Sequence, residues 1–197
     1  GCEMNTRFKT LFENAIDPLA WAESQGLSVK VKDGLVICTK NINLSAHDLD
    51  KIPVQFGDMP TKDFIIHTNK LTSLKGCPKK VKEFDASWND LASLEGGPEE
   101  VNDDFNINSN NNLGSLLEGP RVVKKDYHAN FCGLTSLDGA PDLVGRNVYI
   151  RNNNLTNLKD IHKKFKAIKG EIFIGGNQIK SNIMGLLLIE GLTKISA

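Results

Sequence analysis

The chain has 197 residues, enough for one or two domains with a sizeable core, and its 24 Lys and Arg equal its 24 Asp and Glu. That balance argues against a generic binder of polyanions or of membrane surfaces. The longest apolar run, "IMGLLLI" at 183–189, is far short of the ~20 residues that a helix needs to cross a bilayer.

Native synthesis is read as starting at Met4, so that Gly1–Glu3 are an appended remnant. That leaves Cys38, Cys77 and Cys132, an odd number without CxxC spacing. The pattern fits reduced thiols in a cytoplasm better than a disulfide framework or a zinc site.

Residues 1–40 are expected to form an N-terminal cap. Within it, 5–25 carry Phe8, Leu11, Phe12, Ala15, Ile16, Leu19, Ala20 and Trp21 at amphipathic-helix spacing, and Asp17-Pro18 should kink or split the helix. Residues 28–38 alternate apolar and polar about Asp33-Gly34, which predicts a hairpin with a two-residue turn.

From 41 to 180 the chain repeats itself. "NKLTSLKGCPKKV" at 69 returns as "NDLASLEGGPEEV" at 89, as "GLTSLDGAPDLV" at 133 and as "NNLTNLKDIHKKF" at 153. The unit is Φ-x-Φ-x-x-N-x-L-x-x-L, with Φ apolar. Its leading residue is Ile42, Phe64, Phe84, Phe105, Tyr127, Val148 and Ile172, in steps of 22, 20, 21, 22, 21 and 24. The Φ-x-Φ alternation predicts a short strand with one face inward. A single such strand buries too little to be stable, so neighbours must stack into a parallel sheet over a shared core. The Asn should satisfy backbone groups at the sharp turn that follows, with Cys132 as a weak substitute. Gly76-x-Pro78, Gly96-x-Pro98 and Gly139-x-Pro141 should turn the chain without helix. The unit at Phe105 carries an extra residue, Asn111-Asn112 before Leu113, and should bulge after Asn110 while Phe105, Ile107 and Leu113 stay in the core. Residues 181–197 are expected to close the last coil.

This unit resembles the leucine-rich repeat. The resemblance implies a solenoid of about seven short parallel strands on a concave face, with an extended or 3₁₀ convex side. Two subfamilies look similar: the short-repeat domain of bacterial effectors, and small repeat proteins of tailed bacteriophages, whose charged "PKKV" and "PEEV" turns are closer to this wording. The phage resemblance implies expression in the cytoplasm of an infected bacterium.

Recognition in such a fold usually falls on the strand face. One column there is acidic: Asp63, Glu83, Asp104 and Asp126, followed by Asn147 and Glu171. Beside it stand Ile65, Asp85, His128 and Tyr149, then His67 and Arg151, then Trp88 and Phe131. The column is either a solvated face that discourages self-association or a groove for a basic protein surface. Trp88 is either a plug at the sheet edge or an exposed anchor. Two other readings compete. Lys79, Lys80, Lys82, Lys124, Lys125, Lys163, Lys164 and Lys166 fall on the outer turns, as a solubilising face or as phosphate contacts. His67 and His128 with Asp85 and Asp126 could do acid–base work, but no nucleophile accompanies them. The expectation is a non-enzymatic module without cofactor or metal. It would bind a host protein, with inhibition of a host or anti-phage defence enzyme as one such role, through Asp63, Ile65, His67, Glu83, Asp85, Trp88, Asp104, Asp126, His128, Phe131, Tyr149 and Arg151.

Overall fold

Residues 15–180 and 183–197 are described by a computed structural model. The expected start at Met4 and the first half of the predicted N-terminal helix lie outside these residues. The second half is helix α1, Pro18–Ser24, with Pro18 in its first turn and the Asp17 side chain accepting from the Leu19 N–H. The hairpin forms as expected: β1 (Lys30–Lys32) and β2 (Leu35–Ile37) pair antiparallel, and β2 pairs in parallel with β4 (Gln55–Phe56). Asp33 and Gly34 between them have φ of 51° and 77°, as a type I′ turn requires. Trp21 of α1 packs edge-on against Phe56, and Phe56 against Phe64, which joins this end to the repeats.

The repeats form a β-solenoid of about seven turns with two parallel sheets. The first sheet has eight strands: β3 (Ile42–Asn43), β5 (Phe64–Ile65), β7 (Phe84–Asp85), β9 (Phe105–Asn106), β11 (Tyr127–His128), β13 (Val148–Tyr149), β15 (Glu171–Phe173) and β16 (Lys194–Ser196). The register aligns the leading residues of all seven repeats, Ile42 on Phe64 through Val148 on Ile172. The eighth rung comes from the C-terminal segment, beyond a 3₁₀ helix at Met184–Leu188.

The outer side is mostly extended, as expected, and more ordered than expected; the exception is one turn of α-helix, α2 (Ile161–Lys164), in the repeat that begins at Val148. β6 (Lys80–Val81), β8 (Glu100–Val101), β10 (Val122–Val123), β12 (Leu143–Val144) and β14 (Ala167–Ile168) pair as a second parallel sheet. The charged turn segments supply it. Each ends in a β-branched residue, and Val81, Val101, Val123, Val144 and Ile168 all point into the core between the sheets. The core also holds an aromatic spine, in which Phe64, Phe84, Phe105 and Tyr127 stack at centroid distances of 6.1, 5.6 and 5.1 Å.

The asparagine ladder holds the turns. Asn69, Asn89, Asn110 and Asn153 are buried, and Asn177, near the last turn, is half-buried. Each sends its Nδ2 to the strand-end carbonyls of its own and the preceding repeat, and its Oδ1 accepts a backbone N–H of the preceding repeat. Asn89, for example, bonds Ile66 O and Ala86 O at 3.1 Å and receives the Leu71 N–H at 3.0 Å.

At the unit with the extra residue, Phe105, Ile107 and Leu113 are buried while Asn111 and Asn112 are exposed, as expected. Three neighbouring features fit together there. The bulge lets Leu113 N–H bond Asn110 O within its own repeat, so this N–H does not need an acceptor from the next one. At the ladder position of that next repeat stands Cys132, whose thiol still donates to Ile107 O but is a poor acceptor. Beside it Gly133, at φ 60°, leaves room for the displaced Asn111 carbonyl, which a Cβ would strike.

Candidate functional site

The exposed face of the first sheet is built from four columns, one per position of the repeat. The outermost has an unusual backbone. Ala46, Thr68, Trp88, Ser109, Phe131 and Asn152 all have φ between 54° and 59°. That left-handed region is uncommon for non-glycine residues and rarer still for bulky ones. The solenoid turn imposes it, because each of these N–H groups must reach the neighbouring repeat: Trp88 N–H donates to Asn108 O and Phe131 N–H to Arg151 O. Trp88 is 67% exposed and Phe131 50% exposed. Trp88 is therefore not a plug at the sheet edge. A shallow open groove beside it is lined by Ala46, Asp48, Thr68 and Lys70.

The acidic column does two different things along its length. From Asp104 onward it is a second ladder: Asp104 Oδ1 accepts the Asp126 N–H, Asp126 Oδ1 the Asn147 N–H and Asn147 Oδ1 the Glu171 N–H, each at 2.9 Å. Several of its charges are also answered within the chain, Asp63 by Lys82, Asp126 by Arg146 and Glu171 by Lys194. Asp126 is buried for this reason. Glu83, Asp85 and Asp104 make no ion pair among the described residues. Burial first, and then Asp63, Asp104, Asp103 and Asp85 around it, push the Glu83 carboxyl above its ordinary range. An uncompensated negative patch therefore sits on the repeats that begin at Phe84 and Phe105.

The other half of the face is aromatic and basic. His128, Tyr149 and Phe173 stack at 4.6 Å between centroids, nearly parallel, and the Arg151 guanidinium covers the Phe173 ring at 4.6 Å. Phe173 completes this stack from the column of Asp85, His128 and Tyr149, at the strand position where the sequence offers no charge to draw notice. Ile65, His67, His128, Tyr149 and Arg151 are half-buried by their neighbours. His67 bonds Thr68 Oγ1 and lies far from His128.

The structure does bring His128 together with Asp126 and Asp104, with ligand atoms within 4.8 Å of one another. Burial, outweighing the nearby carboxylates, holds the imidazole below its ordinary pKa, so it is a neutral potential ligand at pH 7. The two carboxylates, however, already hold backbone N–H groups, and Asp126 Oδ2 faces Arg146 at 3.3 Å. The two carboxylates are thus spent on the sheet, and the His128 ring beside them stacks on Tyr149.

The outer lysines are mostly engaged. Lys124 meets Glu100, Lys125 meets Asp103 at 2.6 Å, Lys164 meets Asp138 and Lys166 meets Asp142 at 2.8 Å. The three thiols Cys38, Cys77 and Cys132 are free; burial pushes Cys38 up to about 11 and Cys132 up to about 12, away from reactive thiolates. Among the described residues no helix is long and apolar enough to cross a membrane. Comparison with family models, with curated proteins and with solved structures gives no match to this chain.

Proposed function

We propose that this chain is a non-enzymatic recognition module of the leucine-rich-repeat type that binds a protein through the open face of its first sheet. The observation that carries the reading is the pair Trp88 and Phe131, two large apolar side chains that stand exposed at positions where the left-handed backbone favours glycine. An exposed ring at such a position adds nothing to the core and works against the backbone. A binding role accounts for it. Glu83, Asp85 and Asp104 then attract a basic partner surface and speed encounter, while the rings slow dissociation. The wording of the repeat turns, which resembles that of tailed-phage proteins, makes a bacterial host protein the partner in this reading, and inhibition of a host or defence enzyme its purpose. Cytoplasmic location belongs to the same proposal. Pairing of the outer lysines with neighbouring carboxylates counts against nucleic acid on that side, since the cationic field is already answered.

The test is capture of partners from nuclease-treated bacterial lysate on the immobilised chain, its Trp88→Gly variant, a Glu83→Lys variant, and a Lys79→Glu/Lys80→Glu double variant. Trp88→Gly relieves the backbone and leaves the core untouched, so it should keep the fold and lose the partner. Capture that survives Trp88→Gly and Glu83→Lys but fails in the lysine double variant assigns function to the outer side and sinks this reading.

A further inference from the structure

The strip between Trp88 and Phe131 has a one-sided hydrogen-bonding character. Asn106, Asn108 and Asn130 lie along it, and each has its Oδ1 occupied by a backbone N–H: that of Asn108 at 3.0 Å, of Asn130 at 2.8 Å and of Arg151 at 2.7 Å. A backbone N–H can pair only with the amide oxygen, which fixes each side chain with its NH₂ group left over. Those three NH₂ groups have no partner among the described residues. The strip therefore presents three fixed amide donors that are unspent among the described residues, between two exposed rings, with the small Ser109 in the saddle.

The rings set a length. Trp88 and Phe131 stand in the turns that follow β7 and β11, two rungs apart in the first sheet, and the backbone bonds Trp88 N–H to Asn108 O and Ser109 N–H to Asn130 O carry the stacking into the turns, so the span is about 9–10 Å at the usual 4.7–4.9 Å per rung. Three chain conformations can be compared with that span. A β-strand repeats one face every ~6.7 Å, which misses it. A polyproline II segment returns to the same face every third residue, ~9.3 Å, and an α-helix every seventh, ~10.5 Å. Hydrogen bonding separates the last two. A helix keeps its carbonyls for itself and offers the strip nothing to accept. Polyproline II leaves every backbone carbonyl unpaired, and its prolines bring no N–H that would need an acceptor. The charge beside the strip points the same way, since Glu83, Asp85 and Asp104 have no cationic partner among the described residues and complement Lys or Arg.

We propose that the face binds a proline-rich, Lys- or Arg-bearing segment of another protein in polyproline II conformation, lying along the solenoid axis across Trp88, Ser109 and Phe131. This rests on the protein-binding reading above and names the chemistry of its partner.

The probe is a random dodecapeptide display library selected on the full chain, with Trp88→Gly and Phe131→Gly chains as counter-targets, a β-glucan oligosaccharide series measured in parallel, and circular dichroism to verify that each variant is folded. Enriched peptides should carry prolines three residues apart with flanking Lys or Arg, and their recovery should fall at least about tenfold on either folded variant. Enriched peptides without that proline spacing, or recovery unchanged on both variants, overturn the inference. If a lysate protein is captured through Trp88 while the library yields helical or β-forming peptides, or none, this inference fails and the protein-binding reading stands. If neither peptide nor lysate protein is retained, both fail. Oligosaccharide binding that is lost in Trp88→Gly also removes both, in favour of a sugar-binding face.

Discussion

Replacing Asn153 by Ala should cost far more stability than replacing Asn89 by Ala, although both residues are buried and occupy the same ladder position. The difference lies in what each substitution strands. Asn89→Ala removes three donations, to Ile66 O, Ala86 O and Ser87 O, but these carbonyls keep the amide of Asn69, the amide of Asn110 and the Thr68 N–H respectively. Only the Leu71 N–H is left without its acceptor. One buried unsatisfied group costs about 1–3 kcal/mol. Asn153→Ala strands three groups. The N–H groups of Cys132 and Leu134 lose Oδ1, and Ala129 O loses its amide, because Cys132 at the preceding ladder position sends its thiol to Ile107 O and Asn130 O instead. Ile150 O is spared by Asn177. The expected loss is two to three times that of Asn89→Ala, roughly 3–6 kcal/mol. Urea unfolding followed by both circular dichroism and tryptophan fluorescence measures it, with coincident transitions as the check that one cooperative unit is being compared. Equal losses within about 0.5 kcal/mol, the usual scatter of surface substitutions, would refute the bookkeeping of stranded groups and reduce the ladder to packing.

Tyr127 sits in the aromatic spine with a buried hydroxyl that has no partner among the described residues, where the equivalent residues of the three preceding repeats are phenylalanine. Tyr127→Phe should stabilise the fold by about 1–2 kcal/mol, and a lower melting point by calorimetry would mean that the hydroxyl is satisfied. Gly133→Ala should destabilise by about 2 kcal/mol or more, through its left-handed backbone and the Asn111 carbonyl. Deleting Asn112 in the same chain should recover most of the loss, and additive losses in the double variant would disprove the coupling. Trp88→Gly should leave chemical stability within about 1 kcal/mol of the parent, since lost strain and gained unfolded-state freedom oppose each other. A large drop would return Trp88 to a structural role. His128, its folded pKa lowered by burial against the pull of Asp126, Asp104 and Asp85, binds fewer protons folded than unfolded. Stability should therefore fall as pH drops below the ordinary value of 6.5. A His128→Asn chain should show a shallower fall in unfolding curves taken from pH 7 to 5, and an identical fall would assign the dependence elsewhere.

Much of the fold follows from local physics that a sequence displays. The alternation of Phe64 with Ile66 and of Phe84 with Ala86, repeated every 20–24 residues, leaves a stacked parallel sheet as the way to bury both positions. Asp33-Gly34 dictates its own turn, and an Asn three residues after each strand's second core position has one dependable use, on the backbone that the bend leaves open. The second sheet was less visible, because two-residue strands such as Lys80–Val81 and Glu100–Val101 carry no periodicity of their own and exist only when their neighbours are stacked beside them. The face shows the same division. Its columns of Asp63, Glu83 and Asp104, of His128 and Tyr149, and of Trp88 and Phe131 are legible from register alone. Which of those charges is free is not. Asp126 is consumed by Asn147 N–H and Arg146 while Glu83 has no ion pair among the described residues, and the φ of 54° at Trp88 comes from the bend of the coil. Side-chain spacing within a repeat is written in one dimension, but hydrogen-bond partners twenty residues apart, and the backbone angle that turns a tryptophan outward, are set only when the coils close on each other.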